Sequence, residues 1–171
     1  MRFKKVKYKA FFEDVLKYNP RSSITQKEID NAYKSIKIPE RRTEYSAGYD
    51  IRTPIDFTMP AGTKVVIPTG IKAVFDDDEL GTWHLQMYVR SSIGIRDGVV
   101  LMNGTGIIDS DYQFGKNDGD MMLALWNTSE NTVKYKAGDR ICQAVFAIHG
   151  RTDDDSVTRK RTGGIGSTGV E

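Results

Sequence analysis

The feature that most constrains the fold is a strict alternation of apolar and polar side chains in the middle of the chain. Trp83, Leu85, Met87 and Val89 alternate there with polar residues. A period of two is the pattern of a β-strand that buries one face. Other short β-rich runs, separated by glycine, aspartate and asparagine, predict strands at Lys64–Pro68, Ile71–Phe75, Val99–Leu101, Met121–Trp126, Thr132–Tyr135 and Ile141–Ile148. Many short strands at this spacing are typical of a sandwich, jelly roll or barrel, so we predict a mostly β fold.

The part of the chain before this β region, about residues 10–40, has a helical pattern instead. Thr25 and Glu28 have the spacing of a capping box, and apolar residues recur at helical spacing from Ile29 to Ile36 until Pro39 stops the helix. A shorter helix is predicted around Phe11–Leu16. We expect this helical segment to dock on the β region.

Composition predicts a single soluble domain. A chain of 171 residues is long enough to bury a core, and Cys142 is its single cysteine, so no internal disulfide supports it. The sequence contains no apolar run of membrane-spanning length and no signal-peptide pattern, which predicts a cytoplasmic protein without membrane contact. The first 46 residues are basic, but no aromatic residues are interleaved with them, so we expect no direct contact with nucleic acid.

Three polar features stand out against this β background. Gln143 is the one strongly polar side chain in an apolar strand, and Asp109 directly follows two isoleucines. Taken alone, Gln143 is better explained as a core amide with its hydrogen bonds satisfied, and Asp109 as a turn aspartate, than as functional residues. The C-terminal segment 159–171 places basic residues before a glycine-rich run, a composition that suits a polyphosphate but is also typical of a solvated, flexible terminus.

Five segments of the sequence, taken in order, favour a functional interpretation of these polar residues over a purely structural one. They are Ala47-Gly48-Tyr49-Asp50-Ile51, Arg90-Ser91-Ser92-Ile93-Gly94, the run from Asn103 to Tyr112, Gly138-Asp139-Arg140-Ile141-Cys142-Gln143, and the glycine-rich tail. Their order and separations resemble the five motifs of the trimeric dUTPase family, over about residues 44–171, and are most similar to its bacteriophage members.

The resemblance implies a β jelly-roll or distorted-barrel subunit in a homotrimer whose active sites are shared between chains. It implies hydrolysis of dUTP to dUMP and pyrophosphate with Mg²⁺. Asp109 corresponds to the carboxylate that activates the attacking water, and Asp50 to one that contacts Mg²⁺ through water only. The chain would then be a single domain, with the helical segment and the loop 114–120 as additions and 159–171 as a C-terminal arm.

The resemblance also implies a set of substrate contacts. Asn103 would pair with uracil in a β-hairpin pocket that also includes Gly106 and Ile108, and Tyr112 would pack against the deoxyribose and exclude a ribose 2′-hydroxyl. The phosphates would be held by residues from three motifs, namely Arg90, Ser91, Ser92, Gln143, Arg161, Gly166, Ser167 and Thr168. Arg161 is preferred over Arg159 and Lys160 as the basic residue of the arm.

The sequence departs from the family pattern in ways that keep alternatives open. Ile165 occupies the arm position where the family has an aromatic residue over the uracil. The helical segment and the loop 114–120 exceed the minimal enzyme, which suggests a regulatory protein that binds a repressor-type partner, beside or instead of catalysis. A dCTP deaminase shares the fold and the trimer, but it needs a catalytic glutamate where this chain has Asp109 and Tyr112.

Overall fold

The structure is a computed structural model that describes residues 1–19, 23–161 and 163. Two helices lie near its N-terminus, α1 (Tyr8–Tyr18) and α2 (Gln26–Ser35). The predicted capping box is present, since the Thr25 hydroxyl accepts from the Glu28 main chain and the Glu28 carboxylate accepts from the Thr25 main-chain N–H. Both predicted helices are therefore confirmed.

Eleven strands follow one another through the described chain and form its main regular structure. They are β1 (Arg2–Lys5), β2 (Tyr49–Arg52), β3 (Phe57–Met59), β4 (Lys64–Pro68), β5 (Ile71–Val74), β6 (Trp83–Val89), β7 (Val99–Leu101), β8 (Gly106–Asp109), β9 (Met122–Asn127), β10 (Val133–Tyr135) and β11 (Arg140–Ile148). All the predicted strands are present within about one residue of their expected ends. The mostly β prediction is confirmed.

The strands form two larger sheets and two strand pairs. One sheet has the order β2-β11-β6-β8 and the other β4-β9-β7, while β1 pairs with β5 and β3 with β10. Every pairing is antiparallel. The inner faces of both sheets contribute to one apolar cluster, which includes Leu85, Met87, Leu123 and Leu125. Burial of this shared face is the main force that holds the sheets together.

The N-terminal segment is part of the same core. Strand β1 extends β5, and Phe11 of α1 and Ile36 after α2 belong to the apolar cluster of the sheets. Both side chains cover Gly70, where a Cβ atom would lie 2.3 Å from Ile36 Cδ1. Gly70 also has a positive φ of 68°, so the turn between β4 and β5 needs glycine for two reasons. The helices thus pack into the core of the β region, and are not joined to it by the chain connection alone.

No helix in the described ranges is long and apolar enough to cross a membrane.

Candidate active site

Polar side chains gather at one end of the four-stranded sheet, around Asp50 on β2. The Asp50 carboxylate is 7% exposed and accepts a hydrogen bond from Arg140 Nη1 at 3.0 Å, and Arg90 Nε lies 3.1 Å from its other oxygen. Arg90 follows β6 and is held by its main-chain N–H, which donates to the Ile141 carbonyl. Two guanidinium groups are thereby fixed side by side with donors left over for an anion.

Gln143 lies on β11 beside this cluster, in register with Asp50 on β2 and with Tyr88 on β6. Its side chain is exposed, so it is not a satisfied core amide. It passes over Gly48, where a Cβ atom would lie 2.7 Å from Gln143 Oε1. The missing side chain at Gly48 therefore makes room for the carboxamide of Gln143 at this surface.

Ser91 and Ser92 begin a short π-helical turn that follows Arg90 (Ser92–Arg96). The turn is anchored by the Arg90 carbonyl, which accepts from the Ile93 and Gly94 N–H groups at 2.9 Å. Arg90, Ser92 and Arg140 line an open depression of about 690 Å³. The sequence-predicted phosphate contacts Arg90, Ser91, Ser92 and Gln143 thus meet at one end of the sheet, together with Arg140.

Asn103 lies in the exposed turn between β7 and β8, close to the same end of the sheet. The resemblance implies a β-hairpin here, and the structure differs: β7 pairs with β9 and β8 pairs with β6, so the turn joins the two sheets. Gly106 starts β8 and fits against Met87, with a hypothetical Cβ 3.3 Å from Met87 Cβ. The side chain of Ile108 points into the core, which leaves its main chain as its possible contact with a ligand.

A second polar cluster surrounds Asp109, where β8 ends. Its carboxylate is 54% exposed and is paired with the guanidinium of Arg161. Arg161 Nε also donates to Asp111 Oδ1 at 2.7 Å, and the guanidinium lies 5.6 Å from the centre of the Tyr112 ring. Asp109, Tyr112 and Arg161 are among the residues predicted for a site. Asp111 was not predicted, although the run Asp109-Ser110-Asp111 contains two closely spaced carboxylates.

The two clusters are far apart within one chain, although they lie on the same face of the sheet. Asp109 pairs with His84 and Gln143 pairs with Tyr88, so they differ by four residues along β6 and by two strand spacings. Strand geometry then puts their Cα atoms about 17 Å apart, with side chains that stand roughly parallel. Asp109 and Gln143 of one chain therefore cannot meet at one phosphate group.

The remaining predicted arm residues, Gly166, Ser167 and Thr168, lie outside the described residues, as does Ile165. The described part of the chain contains no group of three or more histidine, cysteine, aspartate or glutamate side chains placed to hold a metal ion. Arg140 was missed as a site residue, although the motif that ends at Gln143 contains it.

The mostly β, jelly-roll-like subunit, with polar residues at two corners of one sheet, agrees in fold and motif order with one known family. The chain belongs to the dUTPase family: the family model for dUTPase matches residues 34–169. It is similar to the deoxyuridine 5′-triphosphate nucleotidohydrolases of Lactococcus lactis (39% identical over 148 residues, 84% of this chain and 96% of the relative) and Pasteurella multocida (40% over 141 residues, 78% and 88%).

Solved structures agree with this assignment. The crystal structure of dUTPase from Streptococcus mutans has a TM-score of 0.65 and 27% identity, and the match covers 90% of this chain and 99% of that one. The dUTPase from phage phi11 of S. aureus has a TM-score of 0.59 at 19% identity, with 72% and 90% covered, which is a likeness of fold. The predicted family and its jelly-roll fold are confirmed; the bacteriophage type stays a prediction.

Proposed function

We propose that this protein hydrolyses dUTP to dUMP and pyrophosphate in the cytoplasm, with Asp109 as the base that activates water for attack on the α-phosphorus. The observation that carries the proposal is the half-exposed carboxylate of Asp109 at a strand end, next to Tyr112. Relatives about 39% identical carry the name deoxyuridine 5′-triphosphate nucleotidohydrolase. Phosphoryl transfer needs mainly a positioned nucleophile and neutralised charge, which these side chains can supply.

The phosphates would be bound at the opposite cluster. Arg90, Gln143 and Arg140 present donors there, and Ser91 and Ser92 add hydroxyl groups close by. Because Asp109 of the same chain is about 17 Å away by strand geometry, we propose that Asp109 acts on a nucleotide bound by another copy. A closed homotrimer would place the two clusters against each other at every interface.

Arg161 would change partners during the cycle. In the described structure it covers the Tyr112 ring and pairs with Asp109 and Asp111. A nucleotide that packs its deoxyribose on Tyr112 would displace the guanidinium, which could then bind a phosphate. The remaining arm contacts, Gly166, Ser167 and Thr168, are proposed to close over the triphosphate as a lid.

Mg²⁺ fits this chain as an ion that arrives with the nucleotide. Mg²⁺ keeps several waters and takes phosphate oxygens readily, so it needs no cage of protein ligands. A carboxylate has more lone pairs than the two arginines beside Asp50 use, so Asp50 can still accept a hydrogen bond from a metal-bound water. When bound, Mg²⁺ would neutralise triphosphate charge; Asp50 would orient its water shell.

The proposed activity is tested by pyrophosphate release from dUTP, dTTP, dCTP and UTP, each with Mg²⁺. We expect release from dUTP alone at low enzyme concentration. Ammonia release from dCTP would instead indicate the deaminase reaction, and equal rates with dUTP and UTP would contradict the role of Tyr112.

The shared site is tested by co-expressing two inactive variants, Asp109→Asn and Gln143→Ala. In randomly mixed trimers about a quarter of the sites would combine an intact Asp109 with an intact Gln143 from another chain. We therefore expect activity to return to about a quarter of the level of the unmodified protein. Activity no higher than that of the two variants purified separately would contradict sharing.

A second proposed role is binding of a repressor-type protein. It is supported by a contact where the loop 114–120 meets the start of the helical region. The main-chain N–H of Lys7, the residue before α1, donates to Asp118 Oδ2 at 2.7 Å, which places the loop next to that helix. The test is co-elution of this protein with purified repressor proteins from the organism that carries its gene, with and without dUTP. Equal co-elution after exposed residues of α1 and the loop are replaced by alanine would contradict it.

A further inference from the structure

Tyr112 is held from beneath by the loop that follows it. The Tyr112 residue is 7% exposed, and its hydroxyl donates to the Asp120 carbonyl at 3.1 Å. The hydroxyl also accepts from Asn117 Nδ2 at 3.2 Å, and the same nitrogen donates to the Asp120 carbonyl at 3.0 Å. The phenol oxygen is therefore fixed on two sides by residues of the segment 115–120.

The loop fits closely around the Tyr112 main chain. The Gly115 N–H donates to the Tyr112 carbonyl at 3.0 Å. Gly119 has a φ of 77°, and a Cβ atom there would lie 2.8 Å from Gln113 Cα. Backbone atoms cannot yield as the end of a side chain can, so the loop and the turn at Tyr112 form one rigid unit.

The same loop is fastened to the N-terminal half of the chain. Lys72 Nζ donates to Asp118 Oδ1 at 2.8 Å, and the Gly70 N–H donates to Asp120 Oδ1 at 2.8 Å. Asp118 also accepts from the Lys7 main chain. These contacts tie two residues that follow Asn117 to β5, to the turn before it and to the start of α1. Asn117 is thereby held in a fixed position from which it contacts Tyr112.

We propose that Asn117 is a positioning residue for sugar discrimination: it fixes the ring of Tyr112 where a ribose 2′-hydroxyl would collide with it. This inference rests on the proposed function, in which Tyr112 packs against the deoxyribose. Exclusion of the ribose 2′-hydroxyl requires a side chain that cannot move away from the sugar. A ring held only at its Cβ can pivot outward, whereas a ring whose hydroxyl is bonded to Asn117 and Asp120 cannot.

The decisive variant is Asn117→Ala, with Lys116→Ala as the matched control because Lys116 is an exposed neighbour in the same loop. We expect Asn117→Ala to reduce the ratio of kcat/KM for dUTP to that for UTP by about fivefold to tenfold, the factor associated with one hydrogen bond. Lys116→Ala should leave the ratio unchanged. An equal loss of kcat/KM for both nucleotides in Asn117→Ala would overturn the proposal, since a purely structural defect predicts that result.

Tyr112→Phe completes the test because it keeps the ring and removes the hydroxyl. We expect it to reduce the ratio at least as much as Asn117→Ala does, because it removes both hydrogen bonds of the hydroxyl. The double variant should reduce the ratio no further than Tyr112→Phe alone, since the contact with Asn117 is already lost. Additive losses would overturn the proposal.

Hydrogen exchange on the nucleotide-free protein separates this inference from the proposed function. Residues 110–114 should exchange faster in Asn117→Ala than in the unmodified protein, and Lys116→Ala should leave them unchanged. If dUTP is not hydrolysed but exchange still responds to Asn117→Ala, the proposed function fails while Asn117 is still shown to position Tyr112. Unchanged exchange in Asn117→Ala would overturn the inference by itself.

Discussion

Asp50 and Asp109 occupy diagonally opposite corners of the same sheet, and their surroundings differ sharply. Asp50 is 7% exposed and paired with Arg90 and Arg140, whereas Asp109 is 54% exposed and paired with Arg161. The first corner is preformed and carries an excess of positive charge, with two guanidinium groups around one carboxylate, and the second presents a carboxylate that is half exposed. In the function proposed above, the first corner would bind the phosphates and Asp109 would act on a nucleotide held by a neighbouring chain.

The largest effect that would test this contrast is loss of turnover in Asp109→Asn. Removal of a positioned base lowers rates by a factor on the order of 10² or more, so hydrolysis of dUTP should fall at least that far. Because the first corner lies elsewhere, nucleotide affinity should stay within a few-fold of that of the unmodified protein. Steady-state kinetics together with calorimetric binding of a non-hydrolysable dUTP analogue would measure both, and near-normal turnover would refute the assigned role.

The free energy of unfolding should respond more strongly to substitution of Asp50 than to substitution of Asp109. Asp50→Asn weakens a nearly buried carboxylate between two guanidinium groups and should lower the free energy of unfolding by about 1–3 kcal/mol. Asp109→Asn should change it by no more than about 0.5 kcal/mol, because exposed ion pairs contribute little. Urea unfolding of the two variants in parallel gives both values. Equal losses would mean that the two corners do not differ as their burial indicates.

Asp14 is a third carboxylate to compare with Asp50 and Asp109. It is buried like Asp50, but no ion pair joins it to a cationic side chain among the described residues. Burial raises the pKa of Asp14 to about 6, with the charge of Lys17 and a hydrogen bond from Asn117 opposing the rise and Glu13 adding to it. Burial and the neighbouring charge of Asp14 also raise the pKa of Asp120. One oxygen of each of these two carboxyl groups has no hydrogen-bond partner among the described residues.

The sign of the pH effect follows from the raised pKa. Asp14 favours folding most when it is protonated, below its unfolded pKa of about 3.9, and this contribution is lost as the pH rises through about 6. Asp14→Asn should therefore raise stability at pH 7.5, by up to about 3 kcal/mol, and reduce its dependence on pH between about 4 and 7. Urea unfolding across that range would measure it; an unchanged pH dependence would contradict the burial argument.

The fold was largely predictable because strands such as β6 and β11 carry strong local patterns. Strand β1 was missed, since its charged residues are exposed and it forms through pairing with β5. The short strands β2 and β3 were missed as well. The loop 114–120 looks like an added polar loop in the sequence, whereas in the structure Asp120 is fully buried and Asn117 holds Tyr112.

The sequence by itself determined the β architecture, the capped helix α2 and the identity of the motif residues, because these depend on local periodicity and on residue types at fixed spacing. Only the tertiary structure decided that Asp50 sits between two arginines, that Gly48 makes room for Gln143, and that Asp109 is too distant from both to share a phosphate with them in one chain. Such distances follow from strand register and sheet order, which residues far apart in sequence establish together when their apolar faces are buried in one core.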